Sequence, residues 1–181
     1  SVIQFTLWRY VSKVDEEHIC KNVFIGKTDV SGMTKEEAVK AVNNTLGDYR
    51  NKQLVLKVKD QGADVSIEEM GAEVENIDKL AKKAVGYGKN GSIWSRYQKI
   101  HNLDKKKYVI DESFKVEEAK LRELIQERAV PLEQKAVNAS ASYNGSGFDL
   151  TDEAEGYTVD VDKSVKKIKN FMNKKWNYEE A

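Results

Sequence analysis

Residues 22–42, NVFIGKTDVSGMTKEEAVKAV, decide how this chain is read. Val23, Phe24 and Ile25 form a short apolar run that stops at Gly26. A turn follows through Ser31 and Gly32, and Thr34 then opens a helix. Thr34 with Glu37 three residues on predicts a capping box, in which each side chain accepts from a backbone N–H that the helix leaves unpaired. Ala38, Val39 and Val42 supply an apolar stripe at helical spacing. The stretch therefore reads as strand, tight turn and capped helix.

Outward from it, the pattern stays regular. The strand is expected at 22–26 and the helix at 34–46, closed by Gly47. Leu54, Leu56 and Val58 alternate with polar residues, the period-two mark of a half-buried strand. Gln61-Gly62 reads as a turn, and residues 63–67 return as its hairpin partner. A short turn at 68–70 leads to Gly71, and a helix is expected at 78–87, broken by glycines at 86, 88 and 91. Residues 92–101 suit another helix, with Ile93, Trp94, Tyr97 and Ile100 on one face. A strand at 108–110 precedes an amphipathic helix at 115–129 built on Leu121, Leu124 and Ile125, with Pro131 in the loop beyond. Residues 136–143 alternate, Asn144-Gly145 is a hairpin turn signal, and 147–150 return. A last helix at 162–176 aligns Val165, Ile168, Met172 and Trp176. Residues 1–20, with Phe5, Leu7, Trp8, Tyr10, Val11 and Val14, read as a linker or an added strand and helix turn.

Two segments share one grammar. DVSIEEMGAEVENIDKLAKKAV (64–85) and DLTDEAEGYTVDVDKSVKKI (149–168) each run Asp, apolar, Ser/Thr, an acidic turn, Gly, Val, and an Asp-Lys that opens a helix. Gly71 and Gly156 fall where the chain must turn tightly, and Asp78 and Asp162 are the expected N-caps. The reading is a repeated strand, turn, strand and helix module. The fold class is α+β: short antiparallel strands and hairpins packed with three or four amphipathic helices, in two related submodules.

These same words carry a resemblance. Val-x-Ile-Gly followed by Asp-Val-Ser-Gly-Met-Thr-Lys-Glu-Glu-Ala, with the Gly-x-x-Val-Asp-x-Asp-Lys type of ending near 71–79 and 156–163, resembles the peptidoglycan-binding domain that precedes the catalytic domain of some L,D-transpeptidases and the VanW domain of VanW-like proteins. The resemblance runs from residue 22 to about 176. It implies a domain over 21–181, with 1–20 as an extension following a membrane anchor that lies outside this chain. It implies a non-catalytic module outside the membrane of a Gram-positive bacterium, with peptidoglycan as partner and a neighbouring C-terminal domain of the same protein. The family's transpeptidase cysteine motif, with its histidine and glycines, is not found here.

Composition sets limits on other functions. At 181 residues the chain fits one large domain or two small ones. Lys+Arg and Asp+Glu both number 30, and that balance argues against nucleic acid, whose phosphates demand a basic surface. It also leaves no net pull toward anionic lipid or wall polymer, although a local patch is compatible with it. No signal peptide and no apolar run of about 20 residues is present.

Chemical motifs are few. A metal site needs His, Cys or carboxylates converging at ligand spacing; His18 and His101 are far apart and are read as lacking partners at i+3 or i+4, so neither metal nor cofactor is expected. Gly86-x-Gly88-x-x-Gly91 follows a helix instead of a strand and reads as a connector, not a phosphate cradle. The acidic residues Asp152, Glu153 and Glu155 read as a solvated turn. Cys20 reads as a small apolar residue beside Ile19. No pair of carboxylates is singled out for glycoside hydrolysis, which keeps a cryptic hydrolase the weakest alternative; a structural spacer or protein-interaction module is the stronger one. Glycan binding would use exposed aromatic faces beside amide groups, and Trp94, Tyr97, Tyr87, Tyr143 and Asn144 are the candidates. The commoner use of the Trp94/Tyr97 spacing is a buried helix face.

Overall fold

A computed structural model describes all residues except Ser1, Val137 and Gly147. Val137 lies in the expected 136–143 strand and Gly147 opens its expected partner, so those two positions fall outside the described residues. The described chain divides into two compact units, Ser1–Arg50 with Glu73–Lys115, and Asn51–Ala72 with Val116–Ala181. The architecture is α+β, as the patterning requires.

The first unit begins with α1 (Val2–Val11), a ten-residue helix where the sequence suggested a linker or an added strand and helix turn. β1 (Val23–Ile25) and β2 (Thr28–Asp29) form a hairpin with Ile25 opposite Thr28. Gly26 turns that corner at φ +53, and a Cβ there would lie 2.0 Å from Glu112 Oε1; both the left-handed backbone and the close carboxylate call for glycine. α2 (Lys35–Asp48) carries the expected capping box: Glu37 N–H donates to Thr34 Oγ1 at 3.3 Å and Thr34 N–H to Glu37 Oε2 at 3.0 Å. Gly47 does not close this helix but sits in its last turn, with Tyr49 as the C-cap.

β5 (Glu73–Val74) belongs to this unit, and α3 (Ile77–Gly86) follows it. Its N-cap is Asn76 at φ +53, not Asp78, which sits in the first turn where a carboxylate favours the helix dipole. α4 (Ile93–Asn102) is capped by Ser92, whose Oγ accepts from Ser95 N–H at 3.2 Å. β6 (Tyr108–Ile110) then pairs with β1, and β7 (Phe114–Lys115) pairs antiparallel with β5. The β1–β6 ladder is parallel, with Val23 opposite Tyr108 and Ile25 opposite Ile110; alternation in sequence carries no sign of strand direction. Val23, Ile25, Val30, Ala38, Val42, Ala81, Ala84, Ile110 and Phe114 form the buried centre of this unit.

In the second unit β3 (Gln53–Val58) and β4 (Gln61–Ser66) form a hairpin in continuous register, Gln53 with Ser66 through Val58 with Gln61. The turn is therefore Lys59-Asp60, two residues before the expected Gln61-Gly62, and Lys59 takes the positive φ of +55. Gly62 instead lies in β4, where a Cβ would stand 2.7 Å from Val55 Cγ1. α5 (Glu118–Leu124) passes into a π-helical turn, Ile125–Ala129, and a 3₁₀ turn, Val130–Leu132, which contains Pro131. β8 (Ser140–Tyr143) and β9 (Phe148–Thr151) form the second hairpin, and α6 (Val161–Lys174) ends the fold. Asp160, not Asp162, caps α6, accepting from Lys163 N–H at 3.0 Å; Asp162 pairs with Arg122 at 2.7 Å instead. Gly156 has no left-handed φ; its need is steric, since a Cβ would meet Ala136 N at 2.4 Å. Segment 64–85 runs from β4 through β5 to α3, and segment 149–168 from β9 past the Gln134–Tyr157 bridge into α6.

One ion pair fastens the 66–70 turn. Arg128, in the π-helical turn, grips both oxygens of Glu69, at 3.2 Å on Oε2 and more closely on Oε1, and also donates to the Asp64 carbonyl at 2.6 Å. Glu69 further accepts from Ser66 N–H at 2.8 Å. The guanidinium, with that amide, lowers the Glu69 pKa from 4.5 to about 2. Because the folded value is depressed, this stability is present above pH 4.5 and is lost as pH falls toward 2. The pair is a third exposed, so solvent screens it. Glu69→Gln is expected to cost about 1 kcal/mol at neutral pH, and the gap between variant and parent in urea denaturation is expected to close by pH 2.

Candidate functional site: an aromatic ledge

Two aromatic residues on α4, three positions apart, share one helix face, and a histidine extends it. Trp94 and Tyr97 stack with centroids 5.8 Å apart and planes at 27°. Tyr97 stacks in turn on His101 at 5.5 Å and 7°. The spacing 94, 97, 101 follows the helical repeat, which brings i, i+3 and i+7 into line. Tyr10, from α1, meets Tyr97 edge-on at 5.1 Å and 67°. The four rings make a continuous ledge on the first unit.

The ledge is a surface and not a core face. Trp94 is 56% exposed and Tyr97 and His101 are half-buried, while Ile100 alone on α4 is buried. This reverses the commoner reading of the spacing. The buried side of α4 is marked by Ile100 and the C-cap Leu103, and the Trp94 face turns away from it. Among the described residues the Trp94 indole N–H has no hydrogen-bond partner, so a donor stands free beside an open ring face.

Polar groups close one end. His101 Nδ1 lies 3.6 Å from Asp104 Oδ2, and Lys21 forms a tight ion pair with the same carboxylate. The Lys21 bond holds the Asp104 carboxyl below the usual range, and Asp104 in turn raises the Lys21 ammonium. Partial burial, with Asp104 behind it, raises the Tyr10 phenol. Each histidine thus has a carboxylate three residues away, since Asp15 also pairs with His18 at 2.8 Å. The expectation that neither had an i+3 partner is corrected for His101, while the carboxylate beside His18 lies at i−3; no cluster of three His, Cys, Asp or Glu able to hold a metal occurs among the described residues.

The other candidates stand elsewhere. Tyr87 is half-buried and lies face to face with Tyr108 at 3.8 Å and 11°, with Lys99 Nζ 5.9 Å above its ring and Cys20 Sγ donating to its carbonyl at 3.5 Å. Burial raises both the Tyr87 phenol and the Cys20 thiol, which leaves Cys20 a poor nucleophile. Tyr143 and Asn144 belong to the second unit, at the β8–β9 turn. Tyr143 is 66% exposed, and its hydroxyl donates to Gly145 O at 2.9 Å. Asn144 donates to Asp149 Oδ1 at 2.9 Å and accepts from Ser146 N–H at 3.1 Å, an arrangement that shapes the turn. His101 and Tyr10 escaped the sequence reading. His101 was legible as the next step of the 94–97 spacing; Tyr10 was not, because only tertiary packing brings α1 to α4. Trp94→Ala is expected to change unfolding free energy by less than about 0.5 kcal/mol, whereas Ile100→Ala costs about 2–5 kcal/mol, as read by chemical denaturation.

No curated protein and no solved structure matches the chain. A family match does exist, to the family described as "putative peptidoglycan binding domain", over residues 63–179. That range contains Trp94, Tyr97 and His101 together with the β8–β9 turn, while the 22–42 stretch and Tyr10 lie upstream of it. It spans well over half of the chain, which therefore belongs to this peptidoglycan-binding family.

Proposed function

We propose that the chain is a non-catalytic module that binds peptidoglycan in the cell envelope through the Trp94–Tyr97–His101 ledge. The observation that carries this reading is a stacked, solvent-facing aromatic row inside the family-matched segment. Pyranose rings present C–H faces to such rows and hydroxyls to free donors, and the ledge offers both. The row extends over about 10 Å of helix. The Lys21–Asp104–His101 group supplies charged partners at its end. Tyr143 and Asn144 are proposed as a separate contact on the second unit, and Tyr87 as a support for the first unit's surface. The module is proposed to work outside the membrane of a Gram-positive bacterium, on a protein tethered by an anchor beyond this chain. There it would set a neighbouring L,D-transpeptidase-like or VanW-like domain against the wall. A spacer that touches no glycan is the competing reading.

Co-sedimentation with purified Gram-positive sacculi separates the two. Saturable pelleting that survives high salt is expected, since stacking is not screened as surface charge is. Trp94→Ala is expected to weaken it about tenfold, the loss of a hot-spot aromatic. A folded parent chain that stays in the supernatant would establish the spacer.

A further inference from the structure

α6 carries its positive charge on one face. Residues 163–175 hold six lysines and no acidic residue, although the second unit is otherwise richer in Asp and Glu than in Lys and Arg. Lys163, Lys167, Asn170 and Lys174 follow the helical repeat, and with Lys166 they cover about 100° of the surface at 3.6 residues per turn. All of them are exposed, while Val165, Met172 and Trp176 are buried on the opposite side. From Lys163 to Lys174 the row runs about 16 Å at 1.5 Å per residue. Neighbouring carboxylates are engaged elsewhere: Glu118 pairs with Lys169 at 2.7 Å, Asp162 with Arg122 at 2.7 Å, and Asp160 serves as the N-cap. Among the described residues no carboxylate forms an ion pair with Lys163, Lys166, Lys167 or Lys174. This placement works against the helix. Lys163 sits in the first turn, where the macrodipole disfavours a cation, and it faces Lys167 at i+4, a repelling pair. The same choice is made twice. Asp78-Lys79-x-x-Lys82-Lys83 on α3 and Asp162-Lys163-x-x-Lys166-Lys167 on α6 hold matching places in the two related segments, and the lysines of both are exposed. Local rules broken at repeated positions mark a face that serves something outside the chain.

We propose that the lysine face of α6 binds a linear phosphodiester polymer with a short polyol repeat. A short repeat keeps its charges close enough for several to meet the row at once, whereas an isolated phosphate would use only one end of it. Lysine is a compact point charge that needs no planar acceptor, so phosphates that turn freely along a chain satisfy it. Single-stranded nucleic acid calls for stacking rings beside the cations, and no aromatic ring on α6 is exposed. A bilayer surface calls for apolar groups free to enter it, and Val165, Met172 and Trp176 are buried. Polymer binding does not rest on the aromatic ledge and stands whether or not the chain pellets with sacculi.

The test titrates the whole chain into a fluorescently labelled synthetic poly(glycerol phosphate), read by anisotropy. Contacts from Lys163, Lys166, Lys167 and Lys174 predict a log–log salt slope of about −3, and roughly a fiftyfold loss of affinity between about 50 and 200 mM salt. The triple variant Lys163→Gln/Lys167→Gln/Lys174→Gln is expected to bind about thirtyfold more weakly. It is expected to melt no lower than the parent, because it relieves the i,i+4 repulsion. A scattered exposed triple of equal charge, Lys40→Gln/Lys57→Gln/Lys135→Gln, is expected to bind as the parent does. Equal losses from the two triples, or no salt-dependent binding by the parent, would overturn the proposal. So would tighter binding to an oligothymidylate or to phosphatidylglycerol vesicles, or a salt-sensitive self-association that occupies the face instead.

Discussion

The first unit depends on the parallel ladder between β1 and β6, which joins Val23–Ile25 to Tyr108–Ile110 across most of the unit's sequence. Closing so long a loop is entropically unfavourable, and the burial of Val23, Ile25 and Ile110 offsets it. Gly26 N–H extends the ladder by donating to Ile110 O at 2.8 Å, and Tyr108 N–H donates to Asn22 O at 2.9 Å. The residues just before β1 carry the constraint onward to the site. Asn22 Nδ2 donates to the carbonyl of Leu103, the C-cap of α4, at 3.0 Å, and Lys21 pairs with Asp104. The opening stretch therefore fixes where α4 ends, and with it the direction in which the ledge faces.

Aromatic side chains suit such a surface because they offer large rigid area for the loss of few rotatable bonds. The ledge costs the fold little: its ring contacts lie among its own members, and the helix beneath is held by Ser92 at one end and Asn22 at the other. Stacking on Tyr97 keeps Trp94 and His101 aligned before any ligand arrives, so little ordering remains to be done on binding.

How much of this was legible follows from range. Local chemistry was read well: the Thr34–Glu37 box, the 108–110 strand and five of the helices emerged from spacing alone. Errors gathered where neighbouring residues of similar character compete. Asp160 and Asp162 both suit an N-cap, and the β3–β4 register, which puts Val58 opposite Gln61, moved the turn onto Lys59-Asp60. The π-helical turn at 125–129 has no local mark; it delivers Arg128 to Glu69, a demand made by tertiary structure. The ledge was half legible. Its residue types and spacing stood in the sequence, but whether the face looked inward or outward did not. Exposure of Trp94 is decided by which residues pack beneath α4, and those come from distant segments.

The most direct measurement is an NMR titration of the chain with a soluble, undecorated peptidoglycan glycan fragment, following the three tryptophan indole N–H signals. The account predicts that the Trp94 signal shifts in a saturable way together with backbone amides of α4, while Trp176, buried in the second unit, stays in place. Saturable binding that leaves Trp94 and α4 unmoved would contradict it.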